Sequence, residues 1–172
     1  MKQYINAFDY AGQICQAMKK GILLTTKAGE KVNTMTIGWG TIGIEWGKPI
    51  FVAYVRESRH TRAMLDENGE FTVNIPVGEV DRNILGYCGT KSGRDTDKIA
   101  DLGLELEEPE AISVPGIRQL PLTLECRVLF RNVQDESRLP ADIRDRYYSA
   151  INAKDYHIAY YGEIVSAYII TD

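Results

Sequence analysis

Apolar residues along this chain recur mainly at every second position, in short stretches broken by Gly, Pro and Asn. That period belongs to strands. Ile22 to Thr26 predicts a short strand, Ala28-Gly29 a turn, and Val32 to Trp39 a second strand, so the two form a hairpin. Ile42 to Trp46 and Pro49 to Val55 follow, split by Gly47-Lys48-Pro49. Glu70 to Ile75 reads as a strand stopped by Pro76, Leu122 to Val133 as a long strand, and Gly162 to Ile170 as the last one. Helical spacing is confined to four segments. Residues 9–20 carry a stripe of Tyr10, Ile14, Ala17 and Met18 that stops at Gly21; Thr61 to Glu67 ends at Asn68-Gly69; Asp81 to Tyr87 and Ala141 to Ala150 are the others. Residues 89–98 read as a polar, Gly-containing loop, and Glu107 to Pro121 as a surface excursion.

Strands joined by short turns, with small helices between them, predict a mainly β fold with peripheral helices, a closed or partly closed barrel. Strands and helices do not alternate regularly, so a doubly wound sheet is the second choice. No repeat, linker or low-complexity tract divides the chain, and 172 residues suit one domain spanning 1–172.

Composition narrows the function. Net charge is −4, which argues against a nucleic-acid partner. No apolar run approaches the ~18–20 residues of a membrane span. The N-terminus turns polar and amphipathic without an apolar signal core, so a cytoplasmic location is expected. Cys15, Cys88 and Cys126 are widely separated, which fits a reducing compartment and offers no clustered metal ligands.

Four segments carry candidate chemistry. In Asn33-Thr34-Met35-Thr36-Ile37-Gly38-Trp39, alternation places Asn33, Met35, Ile37 and Trp39 on one face. The segment is either an edge strand with solvated Thr and a core Trp, or a surface for a flat heteroaromatic ring whose polar edge meets backbone N–H groups. Arg56-Glu57-Ser58-Arg59-His60-Thr61 leads into a helix. Hydroxyls and forked cations at a helix start form either an exposed cap or a phosphate cradle. Cys88 to Asp95 is a Gly-containing loop that lacks the P-loop order, and its Cys88 has no His or Asp at nucleophile spacing. His157, among Tyr156, Tyr160 and Tyr161, is either a packed residue or a group that donates a hydrogen bond or proton near a redox centre. No G-x-G-x-x-G follows a strand, so no Rossmann nicotinamide site is expected.

Taken in order, these segments resemble the flavin reductase-like, or flavoredoxin, family. The resemblance lies in Gly29-x-x-x-Asn33-Thr34-Met35-Thr36-Ile37-Gly38-Trp39, Val55-Arg56-x-Ser58-Arg59-His60-Thr61 and Phe71-Thr72-Val73-Asn74-Ile75-Pro76. It continues in Ser92-Gly93-Arg94-Asp95-x-Asp97-Lys98, in Asp155-Tyr156-His157 and in Gly162-Glu163-Ile164, and so runs from about Lys20 to Ile170. It implies an FMN-binding split β-barrel that works as a homodimer. Asn33, Thr34, Met35 and Thr36 would contact the isoalloxazine, with Trp39 packing nearby. Arg56, Ser58, Arg59 and Thr61 would hold the ribityl phosphate. Lys91, Ser92 and Gly93 would close over the flavin or come from the partner subunit. The implied activity is NAD(P)H-dependent flavin oxidoreduction toward a small-molecule or protein acceptor. An electron carrier between protein partners and a non-catalytic flavin-binding module are the alternatives.

Overall fold

A computed structural model describes residues 1–150 and 153–171. Ten strands lie among the described residues: β1 (Lys2–Tyr4), β2 (Ile22–Ala28), β3 (Lys31–Ile37), β4 (Gly40–Glu45), β5 (Lys48–Arg56), β6 (Glu70–Ile75), β7 (Leu106–Glu107), β8 (Gly116–Ile117), β9 (Leu122–Val133) and β10 (His157–Ile170). The helices are α1 (Ala11–Met18), α2 (His60–Glu67), α3 (Arg82–Thr90), α4 (Lys98–Leu102) and α5 (Ala141–Tyr147). Among the described residues, no helix is long and apolar enough to cross a membrane.

Eight strands form one antiparallel sheet in the order β3-β2-β6-β9-β10-β5-β4, with β1 added to β10. The path does not close, because β3 and β4 are its two ends. The fold is therefore a mainly β split barrel with peripheral helices. The β4–β5 turn is set locally: Glu45 pairs with Lys48, and Trp46 and Gly47 both take positive φ, at 53° and 69°. The turn thus falls one residue earlier than Gly47-Lys48-Pro49, and Pro49 lies inside β5.

The concave face is filled by alternate residues, among them Leu24, Phe51, Val55, Phe71, Val73, Leu124 and Tyr160. Gly162 sits at a register shift between β9 and β10. A Cβ there would lie 2.5 Å from the Phe71 ring and 2.9 Å from Cys126 Cβ, so the chain must pass this point without a side chain. On the opposite face of β2, β3, β6 and β9 runs a buried polar row. Thr25 Oγ1 lies 3.0 Å from both Thr34 Oγ1 and Asn74 Oδ1, Thr72 Oγ1 lies 3.2 Å from Asn74 Oδ1 and 2.8 Å from Pro115 O, and Asn74 Nδ2 donates to Thr123 Oγ1. Each member is partnered, as burial of polar groups requires.

Several elements differ from expectation. Residues 107–121 are not a surface excursion: Val114, Ile117 and Leu120 are fully buried, and the segment covers the polar row. A 3-10 turn at Ala7–Tyr10 precedes a shorter α1, α3 runs on to Thr90, and α5 ends at Tyr147. The last strand begins at His157 rather than Gly162, because β5 and β9 pair with it on both sides.

Candidate functional site

β3 is a terminal strand of the sheet, so one backbone edge has no strand partner. Such an edge presents free N–H and C=O groups. Two adjoining hollows along it share part of their lining. The first is a cavity of about 250 Å³, lined by Asn33 and Met35 from β3, Arg56 to Thr61 less Glu57, Thr90 to Arg94, Lys98 and Asp155. The second is a groove of about 180 Å³, lined by Met35 to Trp39, Tyr54, Arg56, Arg59 and His157. Met35, Arg56 and Arg59 border both, so cavity and groove form one trough.

The cavity is strongly cationic. Its lining holds five Lys or Arg side chains and one carboxylate, Asp155. Lys98 is 4% exposed, and its Nζ donates to Thr34 O at 2.9 Å and Cys88 O at 3.1 Å. Both partners are neutral carbonyls, so the buried charge is not cancelled, and burial lowers its pKa from the usual lysine value. Burial also lowers His60, with Lys31, Arg94 and Lys98 adding to the effect. Among the described residues, buried His60 Nε2 has no hydrogen-bond partner. Uncancelled cations and an orphaned ring nitrogen around one cavity are what an anionic group would satisfy.

The loop between α3 and α4 is fastened over the cavity. Lys31 Nζ donates to Gly93 O at 2.7 Å, and Arg94 Nη1 donates to Ser58 O at 3.1 Å. A Cβ on Gly93 would lie 2.2 Å from Asn33 Oδ1, so glycine permits this approach. Lys91, Ser92 and Gly93 thus meet Asn33 and Arg59 within one chain.

The structure separates the remaining residues singled out in the sequence. Asn33 donates to Thr61 Oγ1 at 3.2 Å, and Met35 lies between cavity and groove. Thr34 turns its hydroxyl into the buried polar row, bonding Thr25 and Leu24 O, because alternation places it on the opposite face. Thr36 borders the groove but donates its hydroxyl to Leu85 O at 2.7 Å. Trp39 lies beyond the end of β3, so it leaves the alternation that joined it to Asn33, Met35 and Ile37. Its half-exposed ring packs 5.1 Å from Tyr147 and 4.9 Å from His157. Arg56 donates to Asp155 O and Tyr147 O, and Ser58 bonds the Asp155 carboxylate. Arg59 retains one long contact, to Gly89 O at 3.4 Å. Cys88 is buried, and burial pushes its thiol up to about 11, which leaves it a neutral packing residue.

His157 is 6% exposed, and burial, aided by Arg56, pushes its pKa down to about 4. Its tautomer follows from its neighbours. The His157 backbone N–H donates to Gln134 Oε1, and the Tyr148 hydroxyl donates to the same oxygen at 2.8 Å. The Tyr148 oxygen is then an acceptor, so Nδ1, 2.6 Å away, carries the ring proton. Nε2 is left as an acceptor. At neutral pH His157 is therefore uncharged, a packed ring whose Nδ1–H donates to Tyr148.

Lys31, Thr90 and Lys98 join the site only in three dimensions, as does the carboxylate of Asp155. Arg94 and Lys98 stand in the Ser92 to Lys98 motif, but nothing local sends Lys98 beneath β3. Among the described residues, no group of three His, Cys, Asp or Glu side chains is placed to hold a metal ion.

An open split barrel with a cationic cavity at its terminal strand defines the class, and comparison places the chain within it. Residues 17–172 match the family described as flavin reductase like domain, and the chain belongs to that family. An uncharacterized protein of Archaeoglobus fulgidus is 33% identical over 100 residues, covering 58% of this chain and 55% of its own length. The chain thus spans about half of that relative. YddH of Escherichia coli is 26% identical over 149 residues, covering 85% of this chain and 68% of its own. Among solved structures, flavoredoxin of Desulfovibrio vulgaris superposes with a TM-score of 0.67 at 22% identity, covering 87% of this chain and 69% of that one. Flavoredoxin from Methanosarcina acetivorans gives 0.63 at 27% identity, covering 87% and 68%.

Proposed function

We propose that this chain, acting as one domain, binds FMN along the β3 trough and works as an NAD(P)H-dependent flavin oxidoreductase toward a small-molecule or protein acceptor. The observation that carries this reading is the pairing of a cationic cavity with a groove of Met35, Trp39 and Tyr54 on one strand edge. The cavity suits a phosphate, and the groove suits a flat ring. Ser58, Arg59, Thr61, Lys91, Ser92, Gly93 and Arg94 would hold the phosphate end. Asn33, Met35 and the backbone from Met35 to Trp39 would hold the ring end. Bound there, FMN would supply hydride and electron transfer. The protein would orient it, shield one side, and present the His157 Nε2 acceptor to the groove.

The test is spectroscopic. The purified protein, or protein loaded with FMN, should absorb as a flavoprotein and release FMN on denaturation. Under anaerobic conditions NADH or NADPH should bleach that absorption. A protein that stays colourless after an FMN titration would sink the reading. A second reading is an electron carrier between proteins, favoured by the two flavoredoxin neighbours. It predicts bound FMN that neither nicotinamide nucleotide reduces.

The working form in this proposal is a cytoplasmic homodimer, with no nucleic-acid or membrane partner. Support comes from the convex face of β4, β5 and β10. Ile44 at 73% exposure, Trp46 at 55% and Phe130 at 48% are exposed apolar side chains there, over the buried Ile50, Val52 and Ala159. Apolar surface of this kind is ordinarily covered. Sedimentation should give a dimer; an FMN-saturated monomer at micromolar concentration would contradict it.

A further inference from the structure

The acidic residue in the cationic cavity is placed unlike its neighbours. Asp155 Oδ1 accepts the Ser58 backbone N–H at 2.9 Å, and Oδ2 accepts the Ser58 hydroxyl at 2.7 Å. These donors stand at the turn that opens α2, where the positive end of the helix faces the cavity. A phosphate entering the cavity would use the same pair. The protein thus fills an anion seat with its own carboxylate.

We infer that Asp155 is an internal competitor for the cofactor's phosphate and sets how strongly this chain prefers FMN to riboflavin; the inference rests on the FMN reading above. The backbone at this point is held independently of the side chain. Arg56 donates from Nη1 to Asp155 O at 2.7 Å and from Nη2 to Tyr147 O at 3.1 Å. The carboxylate can therefore leave Ser58 by side-chain rotation while residues 147 and 155 stay anchored to β5. Arg59, Lys91, Arg94 and Lys98 remain to receive the phosphate. Competition has two parts. The apparent affinity for the phosphate is reduced by the fraction of molecules whose seat is filled. A carboxylate displaced but still in the cavity also repels the incoming dianion. Riboflavin lacks the phosphate and is exposed to neither part.

Asp155→Asn tests this in the full chain. Asparagine keeps the bulk, and its amide oxygen can still accept from Ser58, but the charge is gone. FMN should bind roughly tenfold more tightly to the variant, with riboflavin affinity changed less than about twofold. If FMN is weakened, or gains no more than riboflavin, Asp155 serves to position Ser58 and the inference is overturned. A measurement on the unmodified protein guards against a variant that misfolds. The Asp155 side-chain carboxyl carbon should shift in the NMR spectrum when FMN is added and hold its position with riboflavin. No shift at saturating FMN overturns the competition. If the unmodified protein binds neither flavin, the FMN reading fails by itself. Inorganic phosphate then reads the seat directly: tighter binding to Asp155→Asn supports the competitor, and equal binding removes it.

Discussion

Arg59→Ala is expected to weaken FMN binding by roughly tenfold to more than a hundredfold while leaving riboflavin nearly unaffected. Arg59 is the cap of α2 and borders both parts of the trough. Among the described residues its guanidinium makes one hydrogen bond, the 3.4 Å contact to Gly89 O, so most of its forked donors are available. A charge-assisted hydrogen bond to a phosphate contributes ~1.5–3 kcal/mol, which gives the stated range. Arg56 differs, because its guanidinium already holds two carbonyls of the segment leading into β10. Fluorescence titration with both flavins is the measurement. Equal losses for FMN and riboflavin would show that Arg59 does not contact the phosphate.

Acidification should destabilise the protein through His157. The ring is held at about 4 in the folded chain, against an ordinary value of 6.5, and burial is the main cause. Above pH 6.5 both folded and unfolded chains carry a neutral ring, and stability is complete. Between 6.5 and about 4 the unfolded chain takes up the proton first, so stability declines as pH falls. Below about 4 both forms are protonated and the loss is finished. A shift of this size corresponds to a loss of about 3 kcal/mol at most. Urea unfolding at pH 7.5 and pH 4.5 should therefore cost the natural protein up to about 3 kcal/mol more than His157→Gln. Other acid-sensitive groups are common to both proteins and drop out of the difference. An identical pH dependence for the two would mean that the ring is not held neutral. Near neutral pH the ring that borders the groove beside Trp39 is thus uncharged.

Much of the architecture is legible in local pattern. Alternation over residues 22–26, 49–55, 70–75 and 122–133 marks strands that the structure contains. Gly29 and Gly47 mark hairpin turns, since both adopt positive φ. The run from Arg56 to Thr61 reads as a strand end followed by a helix start, and it lies beside the cavity as a unit. Local pattern fails where burial is created by distant covering. Thr25, Thr34 and Thr72 look like solvated strand positions, yet residues 107–121 cover Thr72 while α3 and α4 pack against β2 and β3, and only the hydrogen-bond row makes that burial tolerable.

The sequence by itself determined which segments are strands, where the chain turns, and which residue types approach the site, because each depends on a few neighbouring residues. Tertiary structure decided the electrostatics. Ser58 and Asp155 are 97 residues apart and meet because β10 pairs with β5. Lys98 and Thr34 are 64 apart and meet because the segment after α3 folds beneath the edge of the sheet. The His157 ring is neutral because Tyr148, Gln134 and Trp39 enclose it, each brought from a different element. Charge state and donor supply at a site depend on what is desolvated beside what, and that is a property of strand pairing across the whole sheet rather than of any local run of residues.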